Sequence, residues 1–158
     1  MNAVDVFSFG QKSFLSSLKD IPEDKRRVKG VCGEWSVKDI VGHVGSYEEA
    51  LAEFLSSWHD QSATPTLDRM NASHQAFNDE EIRKMAKMPY EELLAQLEDA
   101  HNVATENLKK IPAEKLREVG TIPWYGEQYS IEDLIVYLYY GHKREHAAQI
   151  NVFKDNLK

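Results

Sequence analysis

The sequence predicts an all-α fold, a four-helix bundle in up-down-down-up order with a long crossover between helices two and three. Three observations carry that prediction. Four long segments repeat apolar residues at helical spacing. β-like stretches are few, and the best of them, Val119 to Tyr125, contains Gly120 and Pro123 and reads as an extended loop. Finally, about 31 residues separate Trp58 from Pro89, where a bundle hairpin uses roughly 2–8.

The first helix spans about Ala3 to Leu18, with Val6, Phe7, Phe14, Leu15 and Leu18 on one stripe, and Ile21-Pro22 ends it. A polar connection of about 15 residues follows, which favours antiparallel packing of helices one and two. The second helix starts at Ser36, a good N-cap, with Asp39 three residues on as a short stand-in for the capping-box glutamate. Its apolar face reads Ile40, His43, Val44, Tyr47, Leu51, Phe54, Leu55 and Trp58. The crossover carries Leu67, Met70, Phe77, Ile82 and Met85, enough for short helices of its own, and it lets helices two and three run parallel. The third helix begins near Tyr90, carries Leu93, Leu94, Leu97, Ala100, His101, Ala104 and Leu108, and stops before Ile111-Pro112. The fourth begins at Ser130, again with an aspartate, Asp133, at the third position, and runs to about Phe153. Helices two and four are then antiparallel.

A chain of 158 residues is expected to form one domain, 1–158, with a core that needs no disulfide. Its 42% hydrophobic and 28% charged residues are those of a folded globular protein and not of a disordered one. The net charge of −7, with no lysine- or arginine-rich run, argues against a nucleic acid or an anionic membrane as partner. No stretch approaches the ~20 apolar residues of a membrane span, and residues 1–10 lack the basic start and apolar run of a signal peptide. The single cysteine, Cys32, can form no intrachain disulfide and fits a reducing compartment, so a cytoplasmic location is expected.

Histidines carry the chemistry. His142 and His146 lie one turn apart on one helical face, the spacing that holds a metal ion. On a wheel of about 100° per residue they share a core-facing stripe with Ile135, Leu138, Gln149 and Phe153. His43 follows its N-cap by seven residues, about 10 Å at ~1.5 Å per residue, and His146 precedes Phe153 by the same number. In antiparallel helices the three imidazoles fall at similar heights. A metal would satisfy them together; the alternative is that each bonds a tyrosine or a backbone carbonyl. His59, His74 and His101 read as surface or structural residues.

Other motifs fit less well. His142-Lys143-Arg144-Glu145-His146 matches the inverted zinc-protease string H-x-x-E-H, but that motif needs a further ligand downstream, where Asp155 is the sole carboxylate side chain. A ferritin-like di-iron site needs Glu-x-x-His twice, and Glu98-x-x-His101 occurs once. A Cys32–histidine nucleophilic pair stays open.

Trp35-Ser36-Val37-Lys38-Asp39-Ile40-Val41-Gly42-His43, a long crossover and then His142-x-x-x-His146-Ala147-Ala148-Gln149-Ile150 resemble the DinB-like metal-binding four-helix-bundle family. Its relatives include bacillithiol- and mycothiol-dependent S-transferases and mycothiol-dependent maleylpyruvate isomerase. The resemblance implies that His43, His142 and His146 bind a divalent transition metal, with positions left for water or substrate, and that the protein is a homodimer. Three imidazoles suit zinc, nickel or iron. The functional expectation is a metal-dependent enzyme acting on a small molecule, such as a thiol S-transferase with a low-molecular-weight thiol as cosubstrate. Tyr47 and Gln149 are candidates for groups behind the ligands or against substrate, and Glu145 is a candidate for proton transfer. The alternatives are a non-catalytic metal or small-ligand binding or resistance protein, and a helical interaction module with structural histidines.

Overall fold

The computed structural model describes residues 2–158, and they form an all-α structure without strands. The helices are α1 (Ala3–Leu18), α2 (Val37–Asp60), α3 (Pro65–Ala72), α4 (His74–Met85), α5 (Tyr90–Lys109), α6 (Ala113–Leu116), α7 (Ile131–Asp133) and α8 (Gly141–Asp155). A π-helical segment, Leu134–Tyr140, joins α7 to α8, so residues 131–155 are one continuous helical run. α3 and α4 are the short helices expected within the crossover.

Local chemistry sets the helix starts. Asn2 accepts from the Val4 and Asp5 amides at the head of α1. Both predicted capping boxes form: Ser36 with Asp39 heads α2, and Ser130 with Asp133 heads α7. α5 instead starts at Pro89, whose fixed φ is already suited to a helix entry.

α2 lies chiefly along α5, and α1 along α8. Gly42, Gly45, Glu48 and Ser56 of α2 meet Leu93, Leu97, His101 and Asn107 of α5 in ascending order. Gly10 meets Tyr140 and Lys143, and the Ser17 and Lys19 carbonyls meet Lys154, also in ascending order. Between the α2 end of the chain and α8 the order reverses: Trp35, two residues before α2, lies by His146, and Tyr47 of α2 by His142. At two glycines an added Cβ would press on a neighbouring side chain. A Cβ at Gly10 would sit 3.1 Å from Tyr140 Cδ2, and one at Gly42 would sit 2.6 Å from Met85 Sδ.

The apolar core has two parts. One gathers Phe7, Leu51, Leu55, Met70, Phe77, Leu108, Leu134 and Tyr139; the other gathers Phe14, Ile40, Val44, Leu93, Leu97, Ala147 and Ile150. Between them lie buried polar residues from all four long helices.

The last helix departs from a plain α-helical wheel. Through the π segment the buried residues run Leu134, Ile135 and Tyr139, and then Lys143, His146, Ala147 and Ile150 in α8. Leu138, His142, Gln149 and Phe153, expected on the core stripe, are half-buried. A π turn closes i→i+5 bonds and so takes in one residue more than an α turn. That rotation brings Lys143 into the core and leaves His142 at its edge.

Candidate metal centre

α2 and α8 bring His43, His142 and His146 together as the sequence predicts. His142 Nε2 lies 2.7 Å from His43 Nε2 and 3.0 Å from His146 Nε2. Among the described residues this is the one group of three or more His, Cys, Asp or Glu residues that could hold an ion together, its ligand atoms all lying within 4.8 Å of one another. Burial pushes all three imidazoles down: His43 to about 3, His142 well below its ordinary value with its two histidine neighbours adding to the effect, and His146 against the opposing influence of Gln149. The three rings are therefore neutral at pH 7.

Neutral imidazoles packed this way lack enough protons to satisfy one another. His146 Nδ1 lies 2.8 Å from Gln149 Oε1 and donates to it, which leaves His146 Nε2 a bare lone pair. His142 Nε2 can donate to only one of its two neighbours. At least one nitrogen–nitrogen contact is thus left without a hydrogen bond, and a cation bound by the three Nε2 lone pairs would relieve it. His43 Nδ1 is buried with no partner. The donor set fits a divalent transition metal, for which uncharged imidazole nitrogen is a standard ligand.

Aromatic rings wall the site. Trp35 lies 4.5 Å from His43 between ring centroids, and Tyr47 lies 4.8 Å from both His43 and His142. The Tyr47 hydroxyl is 3.1 Å from His74 Nδ1 at the head of α4, and burial raises its pKa. Cys32, in the loop before α2, is half-buried, and burial pushes its thiol up, partly offset by the neighbouring Gln149 side chain. It does not join the three-histidine group. On the outer side His142 lines an open depression of about 670 Å³ with Tyr137, Leu138, Gly141, Arg144, Glu145 and Ala148. Glu145 is exposed on its rim. A separate cavity of about 340 Å³ lies between α2, α5 and the end of α4, and none of the three histidines lines it.

A second polar cluster escapes a residue-by-residue reading. His59 and His74 are exposed, but His101 is buried, with Nδ1 3.2 Å from Glu48 Oε2 and 3.2 Å from Lys143 Nζ. Lys143 pairs with Glu48 Oε1, and each of the two is 1% exposed. Burial acts to raise the Glu48 carboxyl, yet Lys143 and His101 hold it below its usual range. The spacing of buried residues carries the missed signal. Gln11, Glu48, His101 and Lys143 occupy the same slot in four buried series, three of them otherwise apolar: Phe7, Phe14, Leu18; Val44, Leu51, Leu55; Leu97, Ala104, Leu108; and, with a ligand histidine, Tyr139, His146, Ile150.

These features define a class: a helical protein with three converging imidazoles held between two of its long helices. The chain belongs to the mycothiol maleylpyruvate isomerase N-terminal domain family, a DinB-like domain, whose match spans residues 13–128. That span includes His43 and ends before His142 and His146. No curated protein and no solved structure matches the chain.

Proposed function

We propose that His43, His142 and His146 bind one divalent transition metal, zinc, nickel or iron, and that the protein is a metal-dependent enzyme acting on a small molecule, such as a thiol S-transferase. The convergence of three neutral Nε2 atoms carries the proposal. Membership of a family described by a thiol, mycothiol, and by an isomerase supports the thiol part of it.

A bound ion supplies Lewis acidity and a site at which a low-molecular-weight thiol is held as its more nucleophilic thiolate. The chain's own residues prepare that site. Gln149 keeps the His146 proton on Nδ1, and Trp35 and Tyr47 exclude water from two sides. The depression beside His142 is the entry for a small substrate, with Glu145 at its rim to take or give a proton. Tyr47 acts through its ring contacts, its hydroxyl being engaged with His74.

The ascending contacts of α2 with α5 and of α1 with α8, and the descending contacts of α2 with α8, support an up-down-down-up bundle formed by the chain as one domain. The same account makes the protein a cytoplasmic homodimer. Phe9 and Tyr137, 60% and 61% exposed, mark an apolar face for the contact. Asp5 at one end of that face and Arg144 at the other would pair across a two-fold axis. Among the described residues no helix is long and apolar enough to cross a membrane.

A second reading is metal or small-ligand binding without turnover by the same three histidines. Metal-loaded protein incubated with mycothiol, bacillithiol, glutathione or cysteine and an electrophile separates the two. Thiol consumption above the buffer control, lost in His142→Ala, supports the enzyme; consumption equal to the control across the panel supports binding alone.

A further inference from the structure

We infer that the buried layer formed by the cluster of Glu48, His101 and Lys143 positions the three-histidine site by tying α2 to α8. The inference rests on the metal reading above. His43 stands on α2 and the other two histidines on α8, yet these helices pack mainly on other partners, α2 on α5 and α8 on α1. The Glu48–Lys143 ion pair joins them directly. Lys143 is the residue after His142, so fixing its ammonium fixes the rotation and height of His142. Glu48 follows His43 on α2 by five residues. His101 adds α5 through Nδ1, which lies 3.2 Å from both partners and hydrogen-bonds one of them at a time. Phe7 adds α1, with Lys143 Nζ 4.5 Å from the centre of its ring.

Stability alone does not call for this layer. Desolvating a buried ion pair offsets most of its attraction, and apolar residues of similar volume in the same places are often as stable or more so. Glu48 and His101 take slots whose helical neighbours are apolar, and Lys143 one between Tyr139 and His146; leucine would fit the spacing at each. An ion pair, unlike leucine, is satisfied in only one register. The layer lies between the two apolar clusters and beside the imidazoles, where a slip of α8 against α2 would part His142 from His43. Two walls of the site are thereby held in place before any ion arrives.

The test is a cobalt(II) titration of untagged wild type and of E48L/K143M, with the thermal melt of each metal-free protein. The double variant is expected to melt cooperatively at or above the wild-type temperature. It should bind cobalt(II) at least ten-fold more weakly, with a changed visible absorption band, which a merely structural role would not alter. Glu48→Gln, which keeps the shape and removes the charge, should weaken binding at least three-fold. Cobalt(II) affinity within two-fold of wild type and an unchanged band in these variants would overturn the inference. So would loss of a cooperative melt in both, because the layer would then be holding up the fold itself. Wild type that takes up no cobalt(II) would instead sink the metal reading, and this inference with it.

Discussion

His146 donates its Nδ1 proton to Gln149 Oε1 across 2.8 Å, one turn further along α8. That bond decides which nitrogen of His146 faces the other two imidazoles. Replacing Gln149 by leucine removes the acceptor and frees the ring to change tautomer. Losing a partner of this kind typically weakens metal binding by about 10–100-fold. A competition titration with a chromophoric chelator checks the value, and affinity unchanged within two-fold would show that the bond does not orient His146.

His43 offers a test in the metal-free protein. Its Nδ1 is buried without a partner, and an unsatisfied buried group carries a penalty of about 1–3 kcal/mol. His43→Leu should therefore unfold at or above the wild-type urea midpoint when no metal is present. The same variant should lose the stabilisation that added zinc gives wild type. A large fall in metal-free stability would mean that the imidazole is a satisfied core residue.

Acidification should destabilise the metal-free protein well above the carboxylate range. Native His43 stays unprotonated down to about pH 3, whereas in the unfolded chain it takes up a proton near its ordinary 6.5. The unfolded state then binds more protons, so stability falls as pH drops below about 6.5, at up to ~1.4 kcal/mol per pH unit for each such group. His142 and His146, shifted in the same direction, add to the slope. Glu48, also held low, adds its loss only below its unfolded value, nearer pH 4. Urea melts from pH 7 to 5 check this; a flat midpoint over that range would contradict the buried, neutral triad.

The start of α2 gives a prediction about the fold alone. Ser36 accepts from the Asp39 amide while the Asp39 carboxylate accepts from the Ser36 amide. Ser36→Ala should cost about 1 kcal/mol, seen as a lower melting temperature with metal binding retained.

That cap was legible in the sequence because it depends on residues three apart, and so was the Ser130–Asp133 cap. The three histidines were legible because helical spacing and depth from the helix ends fixed their heights. The π segment was not. Its wide turn has no local motif in Leu134–Tyr140, and the rotation it introduces is what places Lys143 in the core. Glu48, His101 and Lys143 escaped for a related reason. Each looks like a solvated or surface residue alone, and only contacts between distant parts of the chain show why a charge sits in an apolar slot. His101, read as surface or structural, is a buried member of that layer.

Metal content of untagged protein, purified without added metal or chelator and dialysed, tests the central claim most directly. The account predicts close to one equivalent of zinc, nickel or iron per chain in wild type, and less than a tenth of that in folded His142→Ala. Wild type that holds no metal, and takes none up from micromolar zinc, would contradict it.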